Sequence, residues 1–308
     1  MRMKDLLQEA RHVPAGVDAP SLCPCGAAPI SALAVCGRSV LLRCRVCELV
    51  VRARMPLQKE LDDCYRDKYW SCFQAEQIGA ARDNVHLHAL EWLMQMRPEA
   101  GTVVDVGCGA GAFLLCCRER GWKGVGIDPC PSAVERAVAL GLDAHVRSWP
   151  SSLLGNETAD AVTFINVLDH LRDPFGALHE AWRVLRKGGL LYIRVPNGAL
   201  RSRLIVPLSS LGFGGLPVVF HLYGFGYAAF RFHLPRLGFA IEAMRTAPPS
   251  QGDAYNAGSW SGRTVLRRFL KKADQSLYAV LAWSGLDRLP LGPSIEVMAV
   301  KASSPGEP

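Results

Sequence analysis

Two carboxylates and three glycines stand close together between residues 105 and 128: Asp105, Gly107, Gly109, Gly111 and Asp128. A glycine turn lets a ligand approach the backbone and supplies positive φ where the chain must reverse. A carboxylate just before such a turn would repel a pyrophosphate. It suits a cationic ligand instead, one with an amino group or a sulfonium. A second carboxylate about twenty residues on can accept hydrogen bonds from the two hydroxyls of a ribose. Chemistry of this kind suits a cationic ligand that carries a ribose.

The elements that must hold these groups are readable. Thr102–Val106 is small and β-branched and reads as a buried strand. Ala112–Arg120 has helical spacing, with Phe113, Leu114 and Cys117 on one face. Val125–Ile127 is a second apolar strand ending in Asp128. Strand, glycine turn, helix, strand and acid make the nucleotide-binding half of a doubly wound sheet.

The run D-V-G-C-G-A-G resembles motif I of class I S-adenosylmethionine (SAM) methyltransferases. Later segments resemble the same family. Ala159–Phe164 is similar to its fourth strand, and VLDHLRDP (167–174) to its "vLEHl-x-dP", with Asp169 in place of Glu. LHEAWRVLRKGG (178–189) followed by LLYIRVPN is similar to its "RvLkpGGxlxixvPN", read as a helix to Lys187 stopped by the glycines and then a fifth strand. The resemblance covers residues 101–245. It implies SAM as cofactor, held by Asp105, Gly107, Cys108, Gly109, Gly111, Asp128, Pro129 and Asn166. The acid that family members often use for the adenine amino group is missing from HVRSW (145–149), which leaves Trp149 to stack on the adenine.

Eleven cysteines all lie within residues 23–130, an odd number unlike a disulfide framework. Cys23 and Cys25 form one close pair, Cys44 and Cys47 another. Two thiol pairs on tight turns can surround Zn²⁺ tetrahedrally. With the intervening hairpin they resemble the zinc-ribbon-like module that precedes some bacterial SAM methyltransferases, including sugar C-methyltransferases, although the first pair is C-x-C rather than C-x-x-C. Residues 57–70 resemble the same family's following segment, whose Tyr65, Tyr69 and Trp70 would close over SAM.

The expected fold is α/β, a doubly wound (Rossmann-like) seven-stranded sheet with an antiparallel last strand, preceded by the small cysteine-rich module. The expected organisation is a lead-in at 1–20, the ribbon at 21–55 and a helical cap at 56–98. The SAM domain follows at 99–301, with substrate-side insertions at 201–293, and a disordered tail at 302–308. A chain of 308 residues, 49% hydrophobic and 20% charged, can bury such a core. With neither an apolar span nor a secretory leader in the sequence, the expected location is cytoplasmic.

Residues 201–301 carry 12 Lys and Arg against 5 Asp and Glu, an excess equal to the net charge of +7. That favours an anionic small-molecule acceptor: a sugar, a lipid-linked intermediate or a natural product. The helical run 265–283 places Leu266, Phe269, Leu270, Ala273, Leu277, Val280 and Leu281 on one face, with Arg267, Arg268, Lys271 and Lys272 opposite. Such a helix is a lid packed on the core by its apolar face, or a peripheral membrane contact. If the acceptor must lose a proton, His170 and His221 are the candidate bases. Tyr223 and Tyr227 are candidate pocket-wall residues. An RNA methyltransferase and a non-catalytic SAM-binding protein are the alternatives. Nucleic acid is disfavoured because the ribbon's five arginines lack aromatic neighbours.

Overall fold

A computed structural model describes residues 17–18, 23–26, 31–36, 39–68, 70, 83–200, 202, 222–250 and 262–302. His221, Tyr69, most of the lead-in and the tail beyond Ala302 lie outside them. The first strands are short: β1 (Val17–Asp18), β2 (Ser31–Cys36), β3 (Ser39–Arg43), β4 (Val50–Arg52) and β5 (Arg54–Met55). Helix α1 (Gln58–Asp63) runs into a π-turn at Cys64–Lys68, and α2 spans Asp83–Met96. Then come β6 (Thr102–Val106), α3 (Ala112–Glu119), β7 (Lys123–Asp128), α4 (Pro131–Ala139), β8 (Asp143–Val146) and β9 (Ala159–Ile165). The remainder is α5 (Pro174–Val184), β10 (Leu185–Pro196), β11 (Tyr223–Gly224), α6 (Tyr227–Arg236), β12 (Phe239–Thr246), α7 (Gly262–Ser284) and β13 (Ser294–Lys301).

The main sheet has seven strands in the order β12-β13-β10-β9-β6-β7-β8. From β8 to β10 all pairs are parallel, and β13 is antiparallel to both of its neighbours. A parallel sheet covered on both faces needs nearly continuous apolar strands, and every residue of β9 is buried. One face packs Val103, Ala161 and Tyr192 against α2 and α3 through Leu90, Trp92, Leu93 and Phe113. The other packs Val104, Phe164 and Ile193 against α5 through Ala177, Leu178 and Ala181. That second core continues into Leu49, Val51 and Met55 of the cysteine module.

The join is made by backbone as well. A four-stranded sheet runs β11-β4-β3-β2, so Tyr223 and Gly224, some 170 residues downstream, pair with Val51 and Val50. Leu222 accepts from Arg52 N at 3.0 Å and donates to Asp169 O at 2.9 Å.

Three expectations change. The helix read through Lys187 ends at Val184, because Leu185 is fully buried and pairs with Ala159 as the start of β10. Lys187 and the two glycines lie in a bulge between Leu185 and Leu190, with Gly188 at φ +75°. Tyr223 and Tyr227 do not face the cofactor cavity. Tyr223 belongs to β11 and donates to Arg172 O at 3.1 Å, and Tyr227 is buried as the first residue of α6. The apolar face of α7 is not a core-packed face over its described half: Leu277 and Val280 are exposed, and Leu281 alone there is buried.

Candidate cofactor site

A cavity of about 700 Å³ opens at the carboxyl edge of β6, β7 and β9, where ligands bind in doubly wound sheets. The turn after β6 forms its floor. Gly107 sits at φ +74° and donates to Ile127 O at 2.7 Å; Gly109 sits at φ +53°. A Cβ on Gly107 would meet Val167 Cγ2 at 2.3 Å. Gly107→Ala is therefore expected to lower stability by about 1–3 kcal/mol and to weaken nucleoside binding together with it. A thermal melt with and without ligand checks both. Equal melting temperatures for variant and parent would contradict the packing.

Asp128 is held in place by the turn it faces. Gly109 N donates to Oδ2 and Cys130 N to Oδ1, each at 2.9 Å. Each oxygen keeps lone-pair capacity toward the cavity, in the arrangement a ribose diol needs. Burial raises its pKa, and the two backbone donors oppose that rise. Asp105 is only 3% exposed. Its pKa is pushed up to about 7 by burial; the Thr163 hydroxyl, donating to Oδ1 at 2.6 Å, works against this, and the Asp128 charge adds to it. A buried carboxylate so poorly solvated gains most from a cation.

The other expected residues divide. Cys108 and Pro129 line the cavity, but the Cys108 thiol points inward, toward Gly126 and Leu114, so only its backbone is offered. Gly111 does not line it. A Cβ there would lie 2.4 Å from Leu142 Cδ1 and 3.2 Å from Ala137 Cβ, so its glycine serves the packing of α3 on its neighbours. Asn166 lines the cavity at φ +59°; its amide oxygen accepts from Arg194 of β10, and its N–H donates to Arg194 O at 2.8 Å. Trp149 forms part of the wall. Its indole is largely committed to the core, donating to Ala177 O at 2.9 Å and meeting Phe164 edge-on.

His170 reaches the cavity from a 3₁₀ turn, Leu168–His170. Its Nδ1 is 2.8 Å from the Tyr65 hydroxyl, and its Nε2 is 3.8 Å from Asp169 Oδ2. Tyr65 and Trp70 also line the cavity, so the segment after the cysteine module covers that edge of the sheet. Thr163 and Arg194 had no signal of their own in the sequence. Thr163 is placed by register, directly beside Asp105 on the neighbouring strand.

The four expected metal ligands converge. The sulfurs of Cys23, Cys25, Cys44 and Cys47 all lie within 4.8 Å of one another, with Cys23–Cys47 and Cys25–Cys44 at 3.5 Å. A tetrahedral Zn²⁺ with Zn–S of about 2.3 Å separates its sulfurs by about 3.8 Å. The four thiols therefore fit the ion. Even without it, Cys47 is pulled down to about 3 by the Cys23 thiol bonded to it, while the same contact pushes Cys23 up. The buried His233 of α6 also bonds to Cys47. A metal here would tie the module to the main domain and do no chemistry in the cavity.

Comparisons with known proteins agree with this geometry. Residues 73–213 match the methyltransferase domain family. A ubiquinone biosynthesis O-methyltransferase of Methylobacterium sp. (strain 4-46) is 30% identical over 137 residues, 42% of this chain and 55% of that protein. An uncharacterized methyltransferase of Mycobacterium sp. (strain KMS) is 35% identical over 95 residues, 30% of this chain and 38% of that protein. The chain spans about half the length of the curated relatives it matches. Among solved structures, the complex between the Haloferax volcanii Trm112 methyltransferase activator and a methyltransferase contains a chain of like fold. It has a TM-score of 0.52 at 17% identity, with 77% of this chain and 97% of that one covered. A SAM-dependent methyltransferase from Archaeoglobus fulgidus gives 0.50 at 18%, covering 76% and 100%. By matched sequence over residues 73–213, by strand order and by the carboxylates around its glycine turn, this domain resembles the class I SAM-dependent methyltransferases.

Proposed function

We propose that this chain transfers a methyl group from SAM to a hydroxyl of a small-molecule acceptor. The observation that carries the donor half is the buried Asp105 beside Asp128, two carboxylates over a glycine turn in one cavity. Asp128 would hold the ribose, and Asp105 would balance positive charge at the methionine end. Gly107 and Gly109 would let the nucleoside lie against backbone, with Trp149 and Pro129 beside the adenine. Among the described residues, four Asp line the cavity (Asp62, Asp105, Asp128 and Asp173) against two Arg (Arg147 and Arg172), a balance that suits a cationic donor. Among the described residues of 201–301, no Lys or Arg lines the cavity, so the basic excess of that stretch is weak support for an anionic acceptor.

When bound, SAM supplies a methyl group already activated on a sulfonium sulfur. The chain must orient the acceptor, exclude water and take a proton. With Nδ1–H donated to the Tyr65 oxygen, His170 would carry its lone pair on Nε2. The hydroxyl proton would move to that nitrogen, and the Asp169 carboxylate would steady the imidazolium. Leu61, Trp70, Phe113 and Leu171 add apolar wall. An aromatic or otherwise apolar hydroxylated acceptor fits them, and the similarity to ubiquinone biosynthesis O-methyltransferases points the same way.

His170→Ala is expected to lower kcat by about 10²–10⁴-fold and to leave SAM affinity within a few-fold. Tyr65→Phe should lower it less. A tritiated-SAM transfer screen over phenolic and other hydroxylated metabolites supplies the assay. Full activity in His170→Ala would overturn the role of the base. Absence of transfer to any class of acceptor would overturn the function.

A further inference from the structure

The described residues expose thirteen large apolar side chains, and six of them fall within residues 277–291. They are Leu277, Val280, Trp283, Leu286, Leu289 and Leu291. Trp283 is 89% exposed and Val280 59%. Single exposed apolar residues are ordinary; a run of this density marks a contact surface. In the sequence, Leu266, Phe269, Leu270 and Ala273 precede Leu277 at three- and four-residue steps along the same helix.

The surface is held rigidly. Leu281 is buried and anchors the end of α7. Thr246 donates to Leu289 O at 2.7 Å and accepts from Gly292 N at 3.2 Å. Asn197 donates to Pro290 O and Gly292 O, each at 3.0 Å. Asn197 follows β10 directly, so the apolar segment is fastened to the carboxyl edge of the sheet, the edge at which the cofactor cavity opens.

Charge selects the occupant. Residues 263–291 carry six Arg and Lys (Arg263, Arg267, Arg268, Lys271, Lys272 and Arg288) against Asp274 and Asp287. Lys272 and Arg288 are exposed alongside the apolar run. Apolar residues with an interfacial Trp and flanking cations suit the headgroup boundary of an anionic bilayer.

We propose that α7 and the segment to Leu291 form a docking surface for an anionic lipid membrane, on which the chain lies peripherally. It would turn the cavity edge toward amphiphilic acceptors in that membrane. The surface does not depend on methyl transfer, and its test does not use it.

The test is flotation of the full chain with vesicles of phosphatidylcholine, alone or containing phosphatidylglycerol. The expected result is binding to the phosphatidylglycerol vesicles, weakened by salt, and little to phosphatidylcholine alone. Leu277→Ala with Trp283→Ala removes side chains that are 43% and 89% exposed and should keep the fold, checked by circular dichroism. It should lower partitioning by about tenfold or more. Lys272→Gln and Arg288→Gln should each lower it by about fivefold. Equal binding to both vesicle types, or unchanged binding of the double alanine variant, would overturn the proposal. So would a protein that never floats but forms a dimer by light scattering that Trp283→Ala dissolves, since the occupant would then be a second copy.

Discussion

Asp105→Asn is expected to make the cofactor-free protein more stable at neutral and alkaline pH and to weaken SAM binding sharply. Asp105 is enclosed, and its folded pKa is pushed up to about 7, chiefly by burial. An unfolded aspartate titrates near 4. The folded state therefore binds a proton more tightly than the unfolded one. Any stability this confers is full below pH ~4 and is lost as pH rises toward 7. Over about three pKa units the loss is on the order of 4 kcal/mol. Asparagine carries no charge at any pH and keeps an oxygen for the Thr163 hydroxyl. The variant should melt roughly 5 °C or more above the parent at pH 8, and the difference should shrink below pH 5. Its SAM affinity should fall by about a hundredfold or more, because a buried ion pair is broken on one side. Melting curves across pH, with titration by SAM, check both halves. A variant no more stable than its parent at pH 8, with unchanged affinity, would remove Asp105 from the account.

Removing the metal should have the second large effect. Purified protein is expected to hold one zinc per chain, and Cys47→Ser or a strong chelator should release it. Cys44 and Cys47 are buried in the same core as Leu49, Val51, Leu178 and Leu222. A structural zinc site commonly supplies several kcal/mol of folding free energy. Its loss should lower the melting temperature sharply. The loss should also reach the cofactor cavity. β4 pairs with β11, Leu222 donates to Asp169 O, and Asp169 precedes His170. Hydrogen exchange at Leu222 should accelerate and SAM affinity should weaken. Metal analysis that finds none, with melting unaffected by chelator, would leave the four thiols as packing residues.

The glycine turn and its two carboxylates were legible because their physics is local. β6 and β9 are buried on both faces and read as apolar runs. Gly107 and Gly109 have the positive φ that glycine accepts most readily. The four sulfurs were legible by spacing alone, even with one residue missing between Cys23 and Cys25. What escaped was non-local. Thr163 matters through the register that sets it beside Asp105. Leu-Arg-Lys at 185–187 are good helix formers, yet burial of Leu185 against β9 draws them into a strand. Tyr223 joins a sheet whose other strands lie far upstream. The apolar side of α7 has the period of a core helix, and only its surroundings show that Leu277 and Val280 face outward.

The most direct measurement is calorimetric titration of the metal-replete protein with SAM near pH 7, in two buffers of different ionisation enthalpy. With Asp105 titrating near 7 in the empty cavity, a cation beside it should drive a fraction of a proton into solution. The account predicts saturable binding whose heat differs between the buffers in proportion to that release, with the difference gone well above pH 7. No binding heat, or the same heat in both buffers near pH 7, would contradict it.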